Sequence, residues 1–382
     1  MLLKNILFIG LWHFIYLLCA SVAFCETEDK CLQASKLIRK GYALANQSKE
    51  EEKMYRDALE LCPKMAEAQF NLGVILLKQK RNEEAEQAFE KAVELRDNAE
   101  FRVALARLKF EQEDFEKALS SYEAALDIDP VNSKALIGIA VVFDRLGERE
   151  KALEFLRNLI EREPSNVLAL YNRAVIHEKS GNFEPAKTDY EKIIQLDRSH
   201  YNANLQLGLM LQRQEKFAES EKYLKRAAEI NPQSASAQKG LSLVYQSMED
   251  RDKAELALRK AIDSDSKDLN SYLSLALILI EKKQESLAEE LLLKGLSEGL
   301  ESERLYNILG WAQLELGKHT EAERSLQKSL SLEPDNYQAH NNMGLLYKRL
   351  GKQKEAKEHF TRALSLNPDS EEVQKNLANT ER

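Results

Sequence analysis

Residues 343–364 read MGLLYKRLGKQKEAKEHFTRAL. A small residue and an aromatic lie on one helical pattern, Gly351 interrupts it, and a second pattern follows with Ala356 and Phe360 four residues apart. The fold turns on whether this stretch is unique or a copy. Laid over the upstream chain, it matches every 34 residues: YNILGWAQLELGKHTEAERSLQKSLSLEP (306–334), LQLGLMLQRQEKFAESEKYLKRAAEINP (205–232) and FNLGVILLKQKRNEEAEQAFEKAVELRD (70–97). Ten units begin at Leu32, Ala66, Ala99, Ser133, Val167, Tyr201, Ala235, Leu269, Glu303 and Tyr337, every step being 34 residues except the second, which is 33. Residues 371–382 remain as a capping helix after the units of 32–370.

The recurring places have physical roles. One is small (Gly73, Ala106, Ala140, Ala174, Gly208, Ser242, Ala276, Gly310, Gly344), and so is a second (Ala85, Ala118, Ala152, Ala186, Ser220, Ala254, Ala288, Ala322, Ala356). Helices approach closely only where side chains are short, so these places mark the crossing within each pair. Four residues past the second comes a bulky side chain on the same helical face, such as Phe89, Tyr122, Leu224 or Phe360, expected to fill the gap between neighbouring pairs. Gly147, Gly181, Gly317 and Gly351 occupy the turn, and Pro at 63, 130, 164, 232, 334 and 368 closes the unit.

Leu72-Gly73, Leu309-Gly310, Tyr347, Ala356, Phe360 and Pro368 stand at the spacings of the tetratricopeptide repeat, a helix–turn–helix unit of 34 residues, which this chain resembles from residue 32 to about 370. Sel1-type repeats are similar but run longer and richer in glycine. The resemblance implies an all-α solenoid of about ten units coiled into a right-handed superhelix, with the first helices lining the inner wall. Arg39 and Glu51 replace the small residues of the first unit, Arg173 takes a Leu place, and the eighth unit lacks its closing Pro.

Composition agrees with a helical array. With 43% hydrophobic and 31% charged residues the chain is too apolar for disorder, and 14 Gly and 7 Pro are too few for a β-rich fold. The net charge of −8, without a basic cluster, speaks against nucleic acid as a partner. Residues 1–23 differ from the rest: Lys4 precedes ILFIGLWHFIYLLCASVA, and ETEDK follows. That pattern fits a secretory signal peptide cut after Ala23, ahead of a short segment 24–31, and gives an exported, periplasmic protein. An uncleaved membrane anchor over residues 2–23 is the alternative, although His13 interrupts the apolar run. Cys25 would carry a lipid only if the bulky Phe24 before it were tolerated.

Cys31 precedes the first helix of unit one and Cys62 ends its second, so an antiparallel hairpin brings them together and export would let them oxidise. Two small buried thiols that never meet are the plainer reading. Asn46-Gln47-Ser48 matches a glycosylation acceptor.

Nothing converges on catalysis or on a cofactor. The five histidines after the leader, 177, 200, 319, 340 and 359, form no HExxH, the cysteines form no CxxC, and neither GxSxG nor GxxxxGK[ST] occurs. Glu- and Lys-rich runs such as NEEAEQAFEKAVE follow the repeat as solvated helix faces. The expectation is therefore a non-enzymatic scaffold that binds a protein or peptide, in envelope assembly, secretion or surface polymer export. An accessory protein or enzyme acting on envelope carbohydrate is the alternative.

By resemblance, contacts come from the inner face of each first helix. Here that face presents Phe70, Val74 and Leu77; Val103 and Phe110; Ile137 and Val141; Tyr171 and Val175; Leu205, Leu209 and Leu243; Leu273, Leu277 and Ile280; Trp311 and Leu314; and Leu345. Such an apolar strip suits a peptide, helix or partner surface, with Trp311 as its anchor. The family's carboxylate clamp of Lys, Asn and Arg is absent from any three adjacent units. Its Asn ladder is broken too, because only Asn71, Asn172 and Asn342 hold the place.

Overall fold

A computed structural model describes residues 28–44 and 48–380. The leader, Cys25 and the acceptor Asn46 lie outside them. Helices come in antiparallel pairs: α1 (28–43) with α2 (Ser48–Leu61), α3 (Ala66–Lys78) with α4 (Asn82–Leu95), α5 (Ala99–Glu111) with α6 (Phe115–Ile128), and α7 (Ser133–Arg145) with α8 (Arg149–Arg162). They continue as α9 (Val167–Lys179), α10 (Phe183–Leu196), α11 (Tyr201–Arg213), α12 (Phe217–Ile230), α13 (Ala235–Ser247), α14 (Arg251–Ser264), α15 (Leu269–Glu281) and α16 (Glu285–Ser297). The last are α17 (Glu303–Glu315), α18 (His319–Leu332), α19 (Tyr337–Arg349), α20 (Gln353–Leu366) and the single α21 (Glu371–Ala378). Residues 28–31, which fall in the short segment 24–31 read from sequence ahead of the first unit, are helical. Residues up to Asn182 make one compact unit and Phe183 onward a second.

Local chemistry starts and stops each helix. The residue before a first helix is repeatedly a cap: Asn98, Asn132, Asn166, His200, Ser234, Ser302 and Asn336 each accept a hydrogen bond from a backbone N–H two or three residues on. Each Asn or Ser cap contributes about 1 kcal/mol. The turns between paired helices share one left-handed residue. It is Gly147, Gly317 or Gly351 in three of them, and Lys80, Glu113, Glu215, Glu249 or Lys283, at φ 57–63°, in five others; Gly181, just past α9, has the same conformation.

Packing inside a hairpin is small against large. A Cβ on Gly310 would meet Leu326 at 2.6 Å, and one on Gly344 would meet Phe360 at 2.5 Å. The bulky residue of a second helix thus presses onto the small place of its own first helix. Leu224 does this with Gly208 and also touches Gly240 of the following hairpin, so it fills the space within a pair as well as between pairs. In the first unit one core gathers Tyr55, Leu72, Ile75, Leu76, Phe89 and Leu108, and another Tyr122, Ile139 and Val142. In the second unit a larger core runs from Leu205 through Tyr272 and Leu292 to Leu309.

Neighbouring hairpins are also joined by a recurring carboxylate that sequence reading did not single out. Glu52, Glu86, Glu221, Glu255, Glu289 and Glu323 occupy one repeat place on the second helices. Each accepts from the next hairpin: Glu52 from Gln79 and Arg81, Glu86 from Lys109 and Gln112, and Glu221 from Tyr245. Likewise Glu255 accepts from Lys282, Glu289 from Gln313 and Lys318, and Glu323 from Tyr347. In α6 and α8 the same place is Leu119 and Leu153, which join apolar packing instead.

Candidate interaction surface

Within each unit, successive first helices touch one another: α5 with α7 and α7 with α9, then α11 with α13, α15 with α17 and α17 with α19. Among the described residues, second helices make no comparably close contact with one another. The first helices therefore form the tighter layer, and the faces they turn away from the second helices are the candidate surface in each unit.

The structure divides the apolar strip on that surface. Leu205, Leu273, Ile280 and Leu314 are buried and so is Ile137, so these five belong to the core and not to a contact surface. Their burial has a plain cause: a side chain on a closely packed layer covers the next helix before it reaches solvent. Phe70 shows the same effect, stacking on Phe101 with centroids 4.7 Å apart and tilting against Phe89. Val74, Leu77, Val103 and Phe110 are half-buried against the first unit's cores, and Phe110 also tilts against Phe115. Tyr171, Val175 and Val141 are half-buried as well.

What survives is sharper in the second unit. Leu209, Leu243, Leu277, Trp311 and Leu345 stand at one register, 34 residues apart, on α11, α13, α15, α17 and α19. Leu243 is 48% exposed and Leu277 39%; the other three are half-buried with an open edge. Trp311 rests against the core and Leu345 against the cluster of Leu314 and Leu346. Beside this row Asn342 donates to Asn307 at 2.8 Å, while Arg349 reaches the Leu314 carbonyl at 2.8 Å and the Glu315 carboxylate at 2.5 Å.

The three asparagines of the broken ladder are engaged internally. Asn71 accepts from the Tyr42 hydroxyl, and Asn172 donates to the Leu168 carbonyl. Asn342 is held by Asn307. Among the histidines, His200 caps α11 through Nδ1, whereas His340 and His359 come together between α19 and α20. Cys31 and Cys62 are joined, with Cα atoms 5.0 Å apart, so the ends of the first hairpin meet. Among the described residues no helix is long and apolar enough to cross a membrane.

Comparisons with known proteins bear on the whole arrangement. Residues 165–380, over half the chain, match the family model of the cilia and flagella-associated protein 70 C-terminal domain, a tetratricopeptide-type model. Residues 64–130 and 109–176 match tetratricopeptide repeat models. The chain is 34% identical over 108 residues to Protein O-mannosyl-transferase TMTC3 of Homo sapiens, a match spanning 27% of this chain and only 12% of that protein. A tetratricopeptide repeat protein from Parabacteroides merdae ATCC 43184 is similar in structure at 18% identity and TM-score 0.41, covering 74% of this chain and 99% of that one. YrrB, described as a TPR protein with an unusual peptide-binding site, is similar at 18% identity and TM-score 0.43, covering 49% of this chain and 96% of its own. MamA from Desulfovibrio magneticus RS-1 is similar at 20% identity and TM-score 0.41, over 45% of this chain and 97% of that one. With the 34-residue hairpins, their caps and their small-against-large packing, the family matches place this chain in the tetratricopeptide-repeat family.

Proposed function

We propose that this chain is a non-enzymatic scaffold that holds a protein or peptide partner along the row Leu209, Leu243, Leu277, Trp311 and Leu345. Tetratricopeptide-repeat proteins generally act as scaffolds in protein–protein interactions. The observation that carries the reading here is the register of that row: five first helices in succession offer an apolar side chain at one level, two of them well exposed. Packed helices lie about 8–10 Å apart. A partner presenting apolar groups at that interval can engage several places at once, as in helix or peptide recognition by an apolar groove.

The test is capture by cross-linking through a photoreactive residue at position 243 or 277, followed by titration of the captured partner against Trp311 fluorescence. Trp311→Ala and Leu277→Asp are each expected to weaken binding at least tenfold while circular dichroism stays unchanged. Unaltered affinity in both variants would remove the row from the contact surface.

Export is part of the same proposal. The apolar leader and the Cys31–Cys62 junction are consistent with an oxidising compartment, the periplasm being the one expected, and with a role in envelope assembly, secretion or surface polymer export. Mass analysis of the mature amino terminus decides it: loss of residues 1–23 is expected, and their retention would indicate the anchored form instead. The partial likeness to an O-mannosyl-transferase favours one second reading, an accessory to a glycan-transferring enzyme. Co-purification of the cross-linked partner with glycosyl-transfer activity distinguishes it.

A further inference from the structure

Between α19 and α20 two imidazoles meet nitrogen to nitrogen: His340 Nδ1 lies 3.0 Å from His359 Nδ1. The other nitrogen of His340, Nε2, lies 3.0 Å from the Pro334 carbonyl, an acceptor only, so Nε2 carries a proton and donates it. In the neutral ring Nδ1 of His340 is then a lone pair, and the short contact requires His359 to donate from its own Nδ1. The ring of Tyr347 packs on His359 at 5.4 Å between centroids, and its hydroxyl is tied to Glu323 at 2.9 Å. Both histidines are half-buried. The pair thus has one fixed arrangement of protons, with a single hydrogen shared between two nitrogens.

We infer that His340 and His359 form a proton-sensitive latch that fastens α20, and α21 behind it, to α19 in the neutral state and loosens as the second ring is charged. A proton arriving at Nδ1 of His340 turns the 3.0 Å hydrogen bond into two N–H groups pointing at each other. A proton on Nε2 of His359 leaves the bond in place, so the closed state tolerates one charge and rejects two. The surrounding groups do not neutralise that second charge. From the loop, Asp335 faces His340 but is ion-paired to Arg362 of α20 at 2.5 Å, and Arg362 itself opposes a charged His340. From α20, Glu358 favours a charged His359 while His340 opposes it. From α18, Glu323 is committed to Tyr347. In α21, Glu372 is engaged by Asn341 of α19.

Burial lowers the affinity of both rings for protons, first by desolvation and then, for His359, by the neighbouring imidazole. The sign follows. The unfolded histidines charge near pH 6.5, the closed pair below that, so stability from the latch is present above about pH 6.5 and is lost as pH falls through the lowered range. Within that window each proton taken up on opening shifts the opening equilibrium about tenfold per pH unit.

Amide exchange of the full chain, corrected for intrinsic rates and compared between pH 7.5 and pH 5.5, tests the latch. Protection of α20 and α21 is expected to fall at least tenfold on acidification, while α3 and α4 serve as a reference within the chain. His359→Gln is expected to remove that pH dependence. Equal loss of protection in the wild type and the variant, or none in the wild type, overturns the latch. Should His359→Gln not fold, nitrogen-15 spectra of the wild-type imidazoles decide instead. Two separated titration steps and an Nε2–H tautomer at His340 support the latch, and two independent midpoints near pH 6.5 overturn it. The outcome does not depend on whether the apolar row binds a partner.

Discussion

Glu249 and Lys283 sit in the left-handed region, at φ 59° and 57°, where Gly317 and Gly351 serve the equivalent turns. A side chain there costs roughly 1 kcal/mol because Cβ crowds the following carbonyl, and glycine escapes that cost. Glu249→Gly is therefore expected to raise the urea midpoint by up to about 1 kcal/mol in stability, and Gly317→Ala to lower it by about as much. A midpoint that moves the other way in both would show that these turns are held by side-chain contacts instead. Tyr272 presents a different residue-level case. It is fully buried, and its hydroxyl has no hydrogen-bond partner among the described residues. Removing an unsatisfied buried hydroxyl returns its desolvation penalty, so Tyr272→Phe is expected to be neutral or stabilising by about 1 kcal/mol in denaturant titration. These details were not legible in sequence, because a Glu in a left-handed turn reads like any surface Glu.

Pairs of helices hold through two devices that respond to different perturbations. The first is steric: Gly344 admits Phe360 so closely that Gly344→Ala is expected to cost about 1–3 kcal/mol by overpacking, measured as a lower melting temperature. The second is the carboxylate that joins one hairpin to the next. Bonding to Lys109 holds the Glu86 carboxyl below its usual range against the opposing effect of burial, and Lys282 does the same for Glu255. A depressed folded-state value means the contribution is present above the unfolded value, about 4.5, and is lost as pH falls through the lower folded one. Acid below about pH 4.5 is thus expected to weaken the junctions between hairpins, and Glu255→Gln to flatten that part of the pH–stability curve while costing about 0.5 kcal/mol at neutral pH. The small and bulky places were readable because their residue types recur. The carboxylate also recurs at one repeat place, but among 63 acidic residues it reads as solvated surface, and the partner on the next hairpin shows its role. The apolar strip was legible as a pattern but not as a surface: Leu273 and Leu277 share the same sequence signal, and packing buries one and exposes the other.

In each of the two compact units a hairpin shelters its apolar face against its neighbours, so stability there is built from one hairpin to the next. At the amino end the Cys31–Cys62 junction closes the first hairpin. Reduction is expected to destabilise that hairpin by up to about 3–4 kcal/mol on the chain-entropy account. Limited proteolysis should then cut within 28–61 first and leave the second unit intact; equal cleavage throughout would mean that the first hairpin is not separately held. In the second unit α21 is fastened by Asn376 and Glu372 to Asn341 of α19, a set of polar contacts. The capping residues carry one more consequence. Ser234 begins α13 and Asp268 precedes α15, with the same chain direction and the same 34-residue offset. Excising residues 235–268 would therefore splice Ser234 onto Leu269 and leave a start signal in front of α15, so the protein is expected to survive as a shortened array whose length can be edited in whole modules.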